Sequence, residues 1–568
     1  MIMKTAIYFL KTTSSDVFLY FLIIGCAILY VFFLRTVFKM RWLWSVILAV
    51  ILLVFFPSVY AALICIATLI IRKVLKTNKA KSSKIKAKPK ATSEDAIIFR
   101  TQEKDLVLDN IFRAIYIQGG AGSGKSASFF VPILRQLAAL NFSGILYDYK
   151  NPELTKTLVH HFTKYGGNVE TYFVDFKNAA QSIRLNPLSP IYMTKSAYAF
   201  EHAQTLLYNL APENIKSPNY FTNDAKSILT AIIWYLKSEY PQYCTLPHVI
   251  SLALFCDMKE LIPKMSENME VRGMLSSIKE AIDNNAGKQV AGVLSTLKTN
   301  LSKLNIPDVF WLLSGDDVDL DINNPNNPKF LCIGTDSVLS QTYAPVISLI
   351  ISVAIKQMNM PNKHKSAIVI DELPTIYIEA IDELPAVARS NRISTILGVQ
   401  DFSQLVLKYG REKSNVILSN MGNQFFGRTV TKESAQMVKE LFGKADKIIK
   451  SYSEGDSYQT TLIGKQGNNS SVNTSFSNQE RDRVKISDIT NLQPGQFYGF
   501  IAEGSETEVM KAQFLVDKED VTHTLKDRIP YTERHVYENY LKIIEEANSI
   551  IGKKEINSSS NSEDLINF

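Results

Sequence analysis

The sequence predicts an α/β fold: a sheet domain with a phosphate-binding loop, an all-α insertion within it, and an anchor of two apolar helices ahead of it. Three observations carry this reading. The octet Gly119-Gly120-Ala121-Gly122-Ser123-Gly124-Lys125-Ser126 fits G-x-x-x-x-G-K-[ST] without a mismatch and sits between an apolar run and a helical stretch. From about Ala96 onward, short apolar runs alternate with helical stretches. Ahead of them lie two long uncharged apolar runs.

The first of these, Val17 to Leu34, has 18 residues, about 27 Å as a helix against ~30 Å of bilayer hydrocarbon. The second, Trp42 to Ile71, has 30 residues, too few for two spans, and reads as one tilted helix or one kinked at Pro57. A cleaved signal peptide is the alternative for the first run. The second run and the lack of a small-residue cleavage site favour two retained spans within residues 1–75. Residues 72–90 carry nine Lys and Arg and no acid, against three basic residues (Arg35, Lys39, Arg41) between the spans. The positive-inside bias therefore puts both termini in the cytoplasm, although the loop charges pull the other way.

The net charge of +7 is misleading as a guide to partners. Residues 1–90 hold 14 basic residues and one acid (Asp16), which leaves 48 basic and 54 acidic residues in the remainder. The excess sits in the anchor and the linker (76–95), where anionic headgroups explain it, so composition does not point the rest of the chain at nucleic acid. Five cysteines without C-x-x-C spacing suggest neither a disulfide framework nor a zinc site. His160-His161 reads as a solvated helix face.

The first part of the α/β domain spans 96–194. Ala114 to Ile117 is a strand leading into the octet, and Ala127 to Leu140 a helix behind it. In that context the glycines let backbone N–H groups close around phosphates at a helix N-terminus. Lys125 then reaches the β- and γ-phosphates of ATP, and the Ser126 hydroxyl ligates Mg²⁺. Strands follow at Gly144–Asp148 and Val169–Asp175, each ending in an aspartate at the sheet edge where ligands bind.

Residues 195–307 read as an all-α insertion: Ala225, Ile228, Leu229, Ile232, Tyr235 and Leu236 recur at helical spacing, as do Val290, Leu294, Leu297, Leu301 and Leu304. It either covers the sheet or forms a cap that receives substrate or partner proteins. Strands resume in 308–525 at Phe330–Gly334, Ala367–Ile370, Ile393–Val399 and Asn423–Arg428. Asp371 and Glu372 end the second of these, 246 residues after Lys125. An aspartate there holds the Mg²⁺ shell and the following glutamate polarises the attacking water. Glu379, Asp382 and Glu383 look like a solvated helix face. Gln400 ends the next strand and either senses the γ-phosphate or simply terminates the strand. Arg389, Arg392 and Arg428 lie near strand ends that could face a neighbouring subunit, with Arg428 favoured as an arginine finger acting in trans. Of the 27 residues from Ser453 to Gln479, 19 are Ser, Thr, Asn, Gln or Gly, which reads as a flexible loop or a long surface hairpin. A helix and polar tail (526–568) close the chain.

Taken together, the chain resembles the coupling proteins of type IV secretion systems, the TraG/TraD-type conjugation ATPases, from the spans to about Val516. Tyr147-Asp148-Tyr149-Lys150-Asn151-Pro152-Glu153-Leu154 is similar to the family's D-x-K-x-E-L stretch, with one extra residue before the glutamate. Leu185-Asn186-Pro187-Leu188 resembles its N-P-L element. Gln400-Asp401-Phe402-Ser403-Gln404-Leu405 resembles its glutamine motif, with Asp401 where a serine is frequent, and Pro494-Gly495 before Phe497 its closing strand region. Mobilisation-type members, including those of Bacteroidota, match the overall length. The resemblance implies a RecA-like P-loop ATPase domain and an all-α domain that contacts a relaxase bound to single-stranded DNA. It also implies a homo-hexamer at the bacterial inner membrane and ATP-driven delivery of that strand to the secretion channel proteins. Two other readings remain at this stage: an FtsK-like duplex translocase, for which only about fifty residues after Val516 leave room for a DNA-reading domain, and an ATP-gated docking platform for secreted proteins.

Overall fold

The structure, a computed structural model, describes residues 93–217, 219–459, 467–502, 510–516 and 531–552. These all belong to one compact unit, Pro89–Phe568. The two apolar runs at 17–34 and 42–71, most of the basic linker and the tail after residue 552 lie outside the described residues. Among the described residues no helix is long and apolar enough to cross a membrane.

A short antiparallel pair, β1 (Ile97–Phe99) and β2 (Leu106–Leu108), precedes β3 (Ile115–Gln118), which runs into the glycine-rich octet. Then come α1 (Val131–Ala139), β4 (Ser143–Asp148), α2 (Glu153–Tyr165) and β5 (Glu170–Asp175). Between β5 and β6 (Lys329–Gly334) the regular elements are helical, chiefly α3 (Ser196–Leu210), α4 (Tyr220–Glu239), α5 (Leu246–Phe255), α6 (Gly287–Ser302) and α7 (Pro307–Leu312). There follow α8 (Ser340–Met358), β7 (Ser366–Ile370), β8 (Ile393–Val399), α9 (Phe402–Tyr409), β9 (Asn423–Phe426) and α10 (Lys432–Phe442). A hairpin of β10 (Lys444–Gln459) and β11 (Gly467–Asp482), then β12 (Gln496–Phe500), β13 (Met510–Gln513) and α11 (Glu533–Ile551), complete the order.

The central sheet runs β13-β12-β9-β3-β8-β7-β4-β6-β5. From β9 to β5 all neighbours are parallel, while β12 and β13 are antiparallel additions at one edge. Parallel strands need helical crossovers, which cover both faces, so the strands read as unbroken apolar runs. In β7, Ile368 and Ile370 pack into the layer that contains α8, and Ala367 and Val369 into the layer that contains α1. Gly398 of β8 is a glycine for a spatial reason: a Cβ there would strike the Asp371 carbonyl and stand 2.7 Å from the Phe130 ring.

α3 packs against α8 and joins the helical segment to the sheet. Buried Asn209 seals this contact, accepting from the Tyr377 N–H (2.9 Å) and Ser348 Oγ (3.1 Å) while donating to the Tyr377 carbonyl (2.9 Å). α11 lies on α5 and α7 and buries Val536, Ile543, Ala547 and Ile550, one stripe of the helix. Glu546 Oε2 stands 3.1 Å from His248 Nε2, and Lys264 Nζ donates to the Ile550 carbonyl (2.5 Å).

Two sequence expectations need correction. His161 is buried and stacks on Tyr165, because α2 turns that face into the packed layer beside α1. Glu379, Asp382 and Glu383 lie in turns rather than on a helix. Of these, Glu379 accepts from Gln204 (2.5 Å) and Asp382 pairs with Lys413 (3.4 Å), so only Glu383 is a free exposed acid. Of the two readings of the polar segment, loop or surface hairpin, the structure has the antiparallel hairpin, and its paired strands begin at Lys444, nine residues before Ser453.

Candidate nucleotide site

Parallel order brings the carboxyl ends of β3, β8, β7 and β4 together, the edge where open α/β sheets bind ligands. At the end of β3 the Gly119 N–H donates to the Val399 carbonyl (3.0 Å) and the Gly120 N–H to the Arg428 carbonyl (2.9 Å). The loop is thus held by both neighbouring strand ends. Gly122 and Gly124 have φ of +75° and +89°, which L side chains rarely adopt. A Cβ on Gly124 would stand 3.0 Å from the Gly495 nitrogen. Gly495 in turn donates its N–H to the Ser123 carbonyl (2.8 Å), so the closing strand region buttresses the loop from outside. The helix behind opens with one turn of wider i→i+5 hydrogen bonding over Ser126–Phe130 before α1 begins.

Lys125 reaches across to the end of β7. Its Nζ donates to the Asp371 carbonyl (3.0 Å) and to Glu372 Oε2 (3.0 Å), and stands 3.9 Å from Asp371 Oδ1. The other oxygen of Glu372 accepts from the Gln400 backbone N–H (2.9 Å). Burial pushes both carboxyls up; Lys125 and Lys150 oppose this at Asp371, and Lys125 and the Gln400 N–H oppose it at Glu372. Asp371 Oδ1 is buried without a hydrogen-bond partner. A carboxylate oxygen left bare beside a phosphate cradle suits a hydrated divalent cation, which takes one or two carboxylates plus phosphate oxygens. The Ser126 hydroxyl, at the mouth of the helix, is half-buried. The donor set therefore fits Mg²⁺ with a nucleotide phosphate.

The structure brings Gly119 to Ser126, Asp371, Glu372 and Gln400 to one edge, with Gln400 contributing its main chain to the Glu372 contact. Arg428 lies two residues past β9 at the same edge, its side chain exposed and its carbonyl on Gly120. Arg389 and Arg392 do not join them. They precede β8 at the opposite end of the sheet, where Arg392 pairs with Asp95 (3.0 Å). Parallel topology decides this, since residues before and after one strand stand at opposite poles.

Asp148 ends β4 at this same edge, as the sequence suggests. It is fully buried, and Oδ2 accepts from the Thr155 N–H (2.8 Å) and hydroxyl (2.9 Å), capping the first turns of α2, while Oδ1 has no partner. Burial raises its carboxyl to about 6, and the nearby Asp371 charge adds to this. Beside Glu372 and Gln400 opens a cavity of about 510 Å³, bounded also by Tyr149, Glu213, Gln404 and Lys408. Burial lowers the Lys408 ammonium to about 8.

The fold has counterparts among known proteins. The bacterial conjugative coupling protein TrwB, lacking its first 70 residues and unbound, aligns at 14% identity with a TM-score of 0.56, covering 76% of this chain and 92% of that one. TrwB in complex with ADP and Mg²⁺ aligns at 13% identity with a TM-score of 0.51, covering 74% and 87%. At such identities the likeness is one of fold: a mixed α/β architecture with a central parallel sheet. No curated protein matches the sequence. The profile of the family described as type IV secretory system conjugative DNA transfer matches residues 73–498. Covering three quarters of the sequence, that match makes the chain a member of the type IV secretory system conjugative DNA transfer family.

Proposed function

We propose that this chain is the ATP-hydrolysing coupling protein of a conjugative transfer system. It would recruit a relaxase bound to single-stranded DNA and drive the strand to the channel proteins, as a homo-hexamer anchored in the bacterial inner membrane by the spans at 17–34 and 42–71. The observation that carries the catalytic part is the convergence of Lys125, Asp371 and Glu372 beneath a glycine loop shaped for phosphates. TrwB structures hold ADP with Mg²⁺ and an ATP analogue, which supports the same ligand class here. Family membership favours conjugative transfer over an FtsK-like duplex motor.

The chemistry follows from the contacts. The N–H groups of Gly122 to Lys125 bind phosphate oxygens at a helix N-terminus. Ser126 and Asp371 would hold Mg²⁺, which would neutralise phosphate charge. A terminal phosphate competes with Glu372 for the Lys125 ammonium. The displaced carboxylate, still held at Oε1 by the Gln400 N–H, is then free to orient water and take its proton, and its raised basicity suits that task. Arg428, exposed beside the loop, would serve a neighbouring subunit's phosphates.

Replacing Lys125→Ala in the full chain tests the reading. ATP turnover and transfer of a mobilisable plasmid should both be lost while membrane insertion persists; normal transfer by this variant would sink the motor reading. Loss of transfer with retained relaxase capture would separate the motor from a docking role.

A further inference from the structure

Asp401 follows Gln400 directly and caps the N-terminus of α9. Its carboxylate gathers five donors. Oδ1 accepts from the Ser403 N–H (2.9 Å), Ser403 Oγ (2.6 Å) and Ser434 Oγ (2.6 Å); Oδ2 accepts from Thr429 Oγ1 (2.9 Å) and Thr431 Oγ1 (2.7 Å). Capping α9 needs only the Ser403 N–H. Three of the other donors come from elsewhere: Thr429 and Thr431 from the link that begins at Arg428, and Ser434 from the first turn of α10. Burial by itself raises this carboxyl, yet the hydrogen bonds from Ser403, Ser434 and Thr431 outweigh it and hold the group below its ordinary value.

The sheet order gives this cluster its meaning. β8 and β9 do not pair with each other, because β3 lies between them. Asp401 bridges their carboxyl ends over the strand that carries the glycine loop. On one side it adjoins the Gln400 N–H that holds Glu372; on the other it grips the segment whose Arg428 carbonyl holds Gly120. Hydrogen bonds to an ionised acceptor are roughly twice as strong as neutral ones, so the bridge is stiff.

We propose that Asp401 is a positioning residue that couples the Gln400–Glu372 contact to the Arg428 segment, so that the two strand ends flanking the glycine loop move as one when phosphate is bound or released. This rests on the nucleotide-hydrolysis reading above. Its consequence is a link between the hydrolytic carboxylate and an exposed arginine, made by one side chain that touches no substrate.

The test uses the purified full chain in detergent. Asp401→Ala should lower kcat for ATP about tenfold or more with KM changed less than about twofold, the signature of lost transition-state positioning rather than lost binding. Asp401→Asn should recover most of the turnover, since the amide oxygen still accepts from Ser403 while its NH₂ donates to threonine hydroxyls that turn to accept. Thr431→Val, at an exposed residue, removes one donor and should lower kcat by roughly two- to threefold. In a double-mutant cycle, Asp401→Ala with Arg428→Ala should cost about as much as the larger single change. Additive losses, or a KM that rises as far as kcat falls, overturn the coupling. Where Asp401→Ala fails to fold, the cycle of Thr431→Val with Arg428→Ala decides by the same criterion. A wild-type chain with no ATP turnover would overturn the nucleotide reading and this inference with it, whereas turnover unaffected by every Asp401 change overturns this inference alone.

Discussion

Glu372→Gln separates chemistry from binding at this site. Its two oxygens have different partners, the Lys125 ammonium and the Gln400 N–H, at 3.0 and 2.9 Å. An amide of the same shape keeps the second contact and loses the proton-accepting carboxylate. General-base catalysis contributes roughly 10²- to 10⁴-fold, so kcat should fall by that factor, about 3 to 5 kcal/mol of barrier. Binding should not suffer. Lys125 keeps the Asp371 carbonyl at 3.0 Å and its carboxylate at 3.9 Å, and the competitor for its ammonium is gone, so KM for ATP should stay level or fall. Stability should change little, because a carboxylate with a side chain only 13% exposed costs desolvation as well as gaining a partner. Lys125→Ala provides the contrast. It leaves two buried acids without their cation and should lower the unfolding free energy by about 3 kcal/mol near neutral pH. Steady-state ATPase assays with nucleotide-binding and thermal-unfolding measurements on both variants check the pattern. Turnover by Glu372→Gln within about threefold of the parent, or a loss of nucleotide affinity in that variant, would refute the assignment of Glu372 as the base.

The other predictions are more compact. Gly124→Ala places a Cβ at positive φ and 3.0 Å from the Gly495 nitrogen; it should cost about 1–2 kcal/mol in chemical unfolding and abolish nucleotide binding. Asp148 has a folded pKa raised above its unfolded value, so its stabilising contribution is complete below about 4 and lost as pH rises through about 6. Asp148→Asn should therefore gain stability relative to the parent between pH 4 and 7, by up to about 3 kcal/mol, as read from unfolding midpoints across that range; a constant difference would contradict the assignment. Ile543→Asp puts a charge into the α11 contact with α5 and α7, where the residue is 2% exposed, and should lower stability by about 3 kcal/mol or release the helix to proteolysis. Arg392→Ala, at the far pole of the sheet, should leave ATP turnover within about twofold, whereas Arg428→Ala should lower it by about 10³-fold or more if its guanidinium acts in trans. Equal effects of the two would remove the distinction between the poles.

Much of the fold was legible because the inner strands of the central sheet are short, apolar and buried on both faces. Such runs identify themselves, and Ile393–Val399 emerges with the bounds its composition suggests. The octet was legible for a related reason: glycine at positions needing positive φ, followed by Lys and Ser, leaves few alternatives. Errors arose where the local pattern was ambiguous about partners. Nothing local distinguishes the buried His161 from a solvated one, or shows that Asp382 finds Lys413, 31 positions later in the chain.

By itself the sequence determined the phosphate loop, the acids that end β7, the polar residue that ends β8 and the family to which these motifs belong, because each is a local pattern tied to a chemical need. Only the tertiary structure decided which strand ends share an edge. Strand order is a matter of non-local pairing, and it is what brings Lys125 to Glu372, sends Arg392 to the far pole and lets Asp401 span β3. It also docks α11 onto the helical segment, a contact between stretches some 290 residues apart that no local pattern encodes.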